Sequence, residues 1–255
     1  MRPFIAFCIA ACLPTVSEAE PVRANYALSW LGVEVATVET ELFESDGRYR
    51  LAWRGQTSGF LGAVHPFASE ATSEGELEAN GRRPRLHAGR SLRGSESKVW
   101  AVDFDTAGKA VRVAIPEDDR QDREPVPAAL RVGPDPLSLA LSALDRAGPG
   151  SRQTGTAFDG RRAFELSASC ADAPEPLPEV GEALLCTVDG KLLAGASRRW
   201  LDRGEPPEER PPTRIWLGRD VVTGGWWPVR VEAPTRWGTV TARLVGPASS
   251  PAPAG

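Results

Sequence analysis

The chain has 255 residues, 34 acidic and 30 basic side chains, a net charge of −4 and 41 % hydrophobic residues. Its arginines are scattered and only Lys98, Lys109 and Lys191 are lysines, which argues against a nucleic-acid surface, because phosphate contacts need concentrated positive charge. The length suits one large β domain.

Arg2 precedes an uncharged run from Pro3 to Ser17 whose apolar core ends near Leu13. This is the outline of a short secretory signal over residues 1–19, and Ser17 and Ala19 fit the small-residue positions of a cleavage site. Export to the periplasm, with cleavage near Ala19, is expected. The run is too short for the roughly 20 residues that cross a bilayer. Ile9-Ala10-Ala11-Cys12 has the outline of a lipobox, but a leader of eleven residues is too short for lipid anchoring at Cys12 to be expected. A single β-rich domain is expected over 20–246, with a disordered tail over 247–255.

From Ala24 onward apolar and polar residues alternate between turn signals, the strand pattern. "ANYALSW" and "VEVATVETELF" flank Leu31-Gly32, and "GRYRLAWRGQT", "EATSEGELEA", "RPRLHAGRSLRG", "SKVWAVDFD" and "KAVRVAI" follow. "PEDDRQDREPVP" reads as a loop. Asp135-Pro136 starts a helix, with Asp as N-cap and Pro at the first helical position. Leu137, Leu141 and Leu144 share its inward face, Ser138, Ser142 and Asp145 are expected to face water or a rim, and Gly148-Pro149-Gly150 stops it. "RRAFELSASC", "ALLCTV", "KLLAGASRRWL", "TRIWLGRD", "WWPVRVEAP" and "GTVTARLVG" return to strands, with "DRGEPPEERPPT" as a further loop. Asp46-Gly47, Asn80-Gly81, Asp159-Gly160 and Asp189-Gly190 read as hairpin turns, since both residues of such a turn must accept positive φ. The expectation is a mainly β chain of about eleven antiparallel strands, a long curved sheet or partly open barrel, with one helix at about 135–147 packed against it.

Two cysteines, Cys170 and Cys186, remain after cleavage and are expected to pair in an oxidising compartment. The loop they close, "ADAPEPLPEVGEALL", reads as a poor strand, and such a disulfide is worth about 3 kcal/mol. Their spacing is not that of a redox or metal motif, so no metal and no cofactor is expected.

There is no Gly-rich phosphate loop, no HExxH and no GxSxG. His65 and His87 are the only imidazoles, and a histidine-based active site would have to join one of them to an acid. Structural roles explain both: a turn for His65, a surface or barrel-facing strand position for His87. No catalytic residue is assigned and a non-enzymatic protein is expected. Eight tryptophans against two tyrosines suit a β core or an apolar cavity. Neighbouring Trp226 and Trp227 should point to opposite sides of a strand. The candidate ligand-binding residues are Trp30, Trp53, Trp100, Leu137, Leu141, Trp216, Trp226 and Trp227.

"YALSWLGVEVATVETELFESDGRYRLAWRGQTSGFLG", "VPAALRVGPDPLSLALSAL", "TGTAFDGRRAFEL", "CTVDGKLLAG", "RIWLGRD" and "WPVRVEAPTRWGTVTARL", in that order, resemble the exported bacterial proteins of domain-of-unknown-function family 3108. The resemblance spans about Tyr26 to Leu244. It implies an exported, β-rich protein of a Gram-negative envelope, with no catalytic residues to carry over. Family members often have a cysteine shortly before the Phe-Asp-Gly-Arg turn. Ser151-Arg152-Gln153 lacks one, so the Cys170–Cys186 pairing is inferred from this chain alone. The outline is also similar to periplasmic lipoprotein carriers and their receptors, an analogy of fold only. The expected function is binding or carriage of a lipid or other amphipathic envelope molecule; the alternative is a module that engages an envelope protein.

Overall fold

A computed structural model describes residues 20–79, 81–178, 180–202, 211–219, 225–235 and 237–245. The expected signal segment and the tail lie outside them. The first half of the chain is a meander of seven strands: β1 (Val22–Trp30), β2 (Val33–Ser45), β3 (Arg48–Thr57), β4 (Phe67–Glu78), β5 (Gly81–Arg93), β6 (Glu96–Phe104) and β7 (Ala110–Ala114). The second half contains β8 (Arg152–Phe158), β9 (Ala163–Cys170), β10 (Glu175–Leu177), β11 (Gly181–Ala194), β12 (Thr213–Arg219), β13 (Trp226–Thr235) and β14 (Gly238–Leu244). Four short α-helices occur among the described residues: α1 (Gly59–Val64), α2 (Glu117–Asp122), α3 (Pro136–Asp145) and α4 (Arg198–Asp202).

Alternation builds the strands. In β3, Tyr49 and Leu51 are buried while Arg48 and Arg50 are exposed, which is the period of two that a half-buried strand requires. Asp46 and Gly47 hold φ of 51° and 71°, the conformation that a two-residue hairpin demands. All pairing is antiparallel, in the order β7-β6-β5-β4-β3-β2-β1-β14-β13-β12-β11-β9-β8, with β10 beside β11. The two meanders therefore join through β1 and β14, where Tyr26 faces Leu244.

The sheet curls until its ends meet. Val102 and Phe104 of β6 pack with Phe158 of β8, Ala163 of β9 and Val126 in one buried cluster. The segment before α3 laces the seam: Val132 bridges to Lys109, Ala110 N donates to Arg131 O at 2.9 Å, and Phe158 N donates to Pro134 O at 3.2 Å. Arg161 of the β8–β9 turn lies 4.7 Å over the Trp100 ring of β6 and 3.1 Å from Asp119 of α2. The strap thus contacts one end of each edge strand, which partly covers the edges of the open sheet. Helix α3 lies within the curl, touching β4, β5, β8 and β13.

The architecture agrees with the mainly β expectation, with 14 strands among the described residues in place of about eleven. One extra strand is β8, whose small and polar residues give no alternation to read. Asp189-Gly190 is not a turn: both residues pair with β9 inside continuous β11, and that long-range pairing overrides the local preference. β10 forms in the loop expected to be strandless, and α2 forms in "PEDDRQDREPVP", three acids in its first turn favouring its N-terminus. The strand expected through Leu201 ends at Ala194 and gives way to α4. Cys170 and Cys186 are bonded, directly opposite one another on β9 and β11.

Candidate functional site

The first turn of α3 is tied into the barrel wall by a buried polar cluster. Asp135 Oδ1 accepts from Leu137 N at 2.9 Å and Ser138 N at 3.2 Å, the expected N-cap. Its Oδ2 accepts from Ser73 Oγ of β4 at 2.7 Å and from Ser138 Oγ. Tyr49 of β3 completes the cluster, its hydroxyl 2.6 Å from Ser138 Oγ and 3.3 Å from Ser73 Oγ. Burial pushes the Tyr49 phenol up to about 12, the hydrogen bonds from Ser138 and Ser73 offsetting part of the effect. His87 Nδ1 lies 3.3 Å from Asp135 Oδ1 without the alignment of a hydrogen bond. His87 and Asp135 are both buried, and neither lines the pocket described below. His65 stands at the end of α1.

Further along α3, Ser142 Oγ accepts from Arg82 N of β5 at 2.9 Å. Ser138 and Ser142 are buried, contrary to the expectation that they face water or a rim. The reason is that the wall they meet is polar: Asp135, Ser73 and Tyr49 receive one hydroxyl, and a strand-end amide donates to the other. The Arg82 guanidinium is almost covered and pairs with Glu44 of β2, Nε to Oε1 at 3.0 Å, and with Asp145 of α3. Of the leucines, Leu141 is buried with Leu42, Tyr49 and Leu51, and Leu137 packs beside them. Leu144 packs against Leu184, Cys186 and Leu217.

Where the last turn of α3 leaves the curl, a pocket of about 720 Å³ opens between the starts of β1 and β13 and the ends of β2 and β12. Leu42, Leu141, Leu144, Ala147, Trp226 and Trp227 give it an apolar wall, and Glu20, Glu44, Arg82, Asp145 and Arg219 set charges of both signs around it. The Arg219 guanidinium lies 3.9 Å from the Trp226 ring centre. Trp227 Nε1 is buried without an aligned acceptor. Burial raises the Tyr26 phenol far above its ordinary range, the Trp227 indole beside it offsetting a part.

Three of the eight candidate residues, Leu141, Trp226 and Trp227, meet at this pocket. Both tryptophans line it although they are sequence neighbours; Trp226 is the first residue of its strand, at the pocket's edge. Leu137 lies in the core behind the pocket. Trp216 is buried with Leu177, Ala183 and Val229, its Nε1 donating to Glu175 Oε1 at 3.0 Å. Trp53 lies along its own strand over Gly55, and Trp100 covers Gly89, where a Cβ would collide with its ring. Trp30 is exposed at the far end, donating to Trp237 O at 3.0 Å.

The sequence reading missed Arg82, Glu44 and Arg219; Asp145, expected to face water or a rim, lies exposed at the pocket's edge. One signal was present: Asp145 sits in the last turn of a helix, where the backbone dipole disfavours an acid, so a cation should face it. A second was the pair Ser138 and Ser142, poor helix formers placed four apart.

The family model described as "Protein of unknown function (DUF3108)" matches residues 25–245, and the chain belongs to that family. No curated protein matches it. Among solved structures it is similar to a β-barrel-like protein of domain of unknown function DUF1849 from Brucella abortus, at 14 % identity and a TM-score of 0.53, over 89 % of this chain and 96 % of that one. At that identity the likeness concerns the fold.

Proposed function

We propose that the protein is an exported, non-enzymatic binder of an amphipathic envelope molecule, held at the α3 pocket. The observation that carries this reading is the pocket itself: one wall of leucine and tryptophan bounded by charged side chains, which suits a ligand with an apolar body and a polar head. The secretory outline of residues 1–19 supports a periplasmic setting. The buried His87–Asp135 pair lies outside the pocket lining, which supports binding rather than bond-making. The apolar body would rest on Leu141, Leu144 and Trp227, and the head would meet Arg219 and the carboxylates of Glu44 and Asp145.

The test is a titration of the purified protein with long-chain lysophospholipids and fatty acids, read by tryptophan fluorescence. Saturable change that is lost in Leu144→Glu is expected, because Trp226 and Trp227 border the pocket. Unchanged emission with every ligand, or an identical response in Leu144→Glu, would overturn the reading.

A further inference from the structure

We propose that the end of the barrel opposite the pocket docks on a phospholipid bilayer, its chain turns entering the headgroup region. The pocket lies where β1 begins and β2 ends. At the other end the β1–β2 tip, α1 with the start of β4, and the β13–β14 tip stand together. Leu31 is 73 % exposed, Val33 65 %, Phe60 83 % and Trp237 66 %. Trp30 Nε1 donates to Trp237 O at 3.0 Å and Ser58 N to Val35 O at 2.9 Å, so the three segments are neighbours. Helix α1 buries none of its side chains, although Phe60, Leu61, Ala63 and Val64 make it mostly apolar.

The chemistry of these tips fits a bilayer. Their polar groups are satisfied locally: Gly62 N donates to Ser58 O at 3.0 Å and His65 N to Leu61 O at 2.8 Å. Phe67 N donates to Thr57 Oγ1 at 3.0 Å and Trp237 N to Thr235 Oγ1 at 3.2 Å. These groups can leave water with little loss of hydrogen bonding, which entry into lipid requires. Leu31 holds φ of 51°, a left-handed conformation that glycine or asparagine takes at lower cost. A leucine kept there with its side chain in water is a strained choice that points to an external role. The apolar groups stand on separate tips as single projections, a shape that a fluid interface accepts. No Asp, Glu, Lys or Arg occurs from Thr57 through Ser69; the exposed Glu34 carboxylate of the β1–β2 tip accepts from Ser58 Oγ at 3.1 Å and belongs at headgroup depth, and tryptophan favours the interface itself. With a net charge of −4, the chain has no general attraction to anionic headgroups, so apolar insertion carries the binding. This inference is independent of the pocket reading and leaves the pocket mouth facing away from the membrane.

The experiment is flotation with vesicles of phosphatidylethanolamine and phosphatidylglycerol, comparing the protein with Leu31→Asn/Phe60→Ser/Trp237→Ser. Both carry the same N-terminus, so residues 1–19 contribute equally. Partitioning should fall at least about tenfold in the variant, with an unchanged thermal midpoint, and the parent's partitioning should persist at high salt. Leu31→Asn alone, which suits the backbone better, should lower partitioning without lowering stability and so guards against a folding defect in the triple variant. Equal partitioning of parent and variants, no partitioning of the parent, or loss of it in salt would overturn the proposal. So would self-association of the parent that the substitutions abolish in sedimentation, since the face would then belong to a second copy.

Discussion

Asp135 is the residue on which the most local structure depends. One buried carboxylate accepts from two helix amides and two serine hydroxyls, so Asp135→Ala leaves four donors without their acceptor. A loss of about 3 kcal/mol is expected in urea denaturation, from the cap and the orphaned donors together, while Ser138→Ala should cost about 1 kcal/mol. Tyr49 makes a pH-dependent counterpart. Its phenol is raised from 10.0 to about 12 in the fold, so the stability due to keeping it protonated is complete below pH 10 and is lost as pH rises through about 12. Tyr26 is shifted in the same direction by burial, and the chain has no other tyrosine. Phenolate absorbance should therefore appear together with unfolding in an alkaline titration; ordinary tyrosine titration in a protein that stays folded would contradict the burial of both.

At the scale of elements, the helix start was legible at Asp135-Pro136 and the strands wherever large apolar residues alternate, as at Tyr49 and Leu51. Two kinds of element were not. The strand at Arg152–Phe158 carries "RQTGTAF", and Gly155 is there because Leu139 of α3 lies against it, a contact made only in the folded chain. Asp189-Gly190 carries the local grammar of a turn yet lies in a strand paired on its β9 side through both residues. The helix itself separates binding from folding: Leu141 is buried in the core and also borders the pocket. Leu141→Asp should lower stability by more than about 3 kcal/mol and reduce ligand retention with it, whereas Leu144→Glu should act on retention more than on the denaturation midpoint. Equal stability losses in the two would show that both positions are core. The disulfide closes a 16-residue separation across β9 and β11. Cys170→Ser/Cys186→Ser should cost about 3 kcal/mol, a difference readable in the same denaturation series.

For the whole molecule, the curl of the sheet is what the sequence could not show. Alternation assigns each side chain to a face, but the closure of the barrel depends on contacts between β6 and β8, more than 40 residues apart, and on the strap at Arg131–Pro134. The charged side of the pocket was hidden for the same reason, since Arg82, Glu44, Asp145 and Arg219 come from four separate elements. The resulting object has two unlike ends, a pocket with apolar and charged walls at one and exposed apolar tips at the other. The most direct test of the binding claim is organic extraction and mass spectrometry of the protein purified without detergent from the periplasm, beside Ala147→Trp, in which the added indole projects from the apolar wall and narrows the pocket. A stoichiometric amphipathic molecule in the parent, absent from the folded variant, is the predicted result; an empty parent, or the same molecule at the same occupancy in Ala147→Trp, would contradict it.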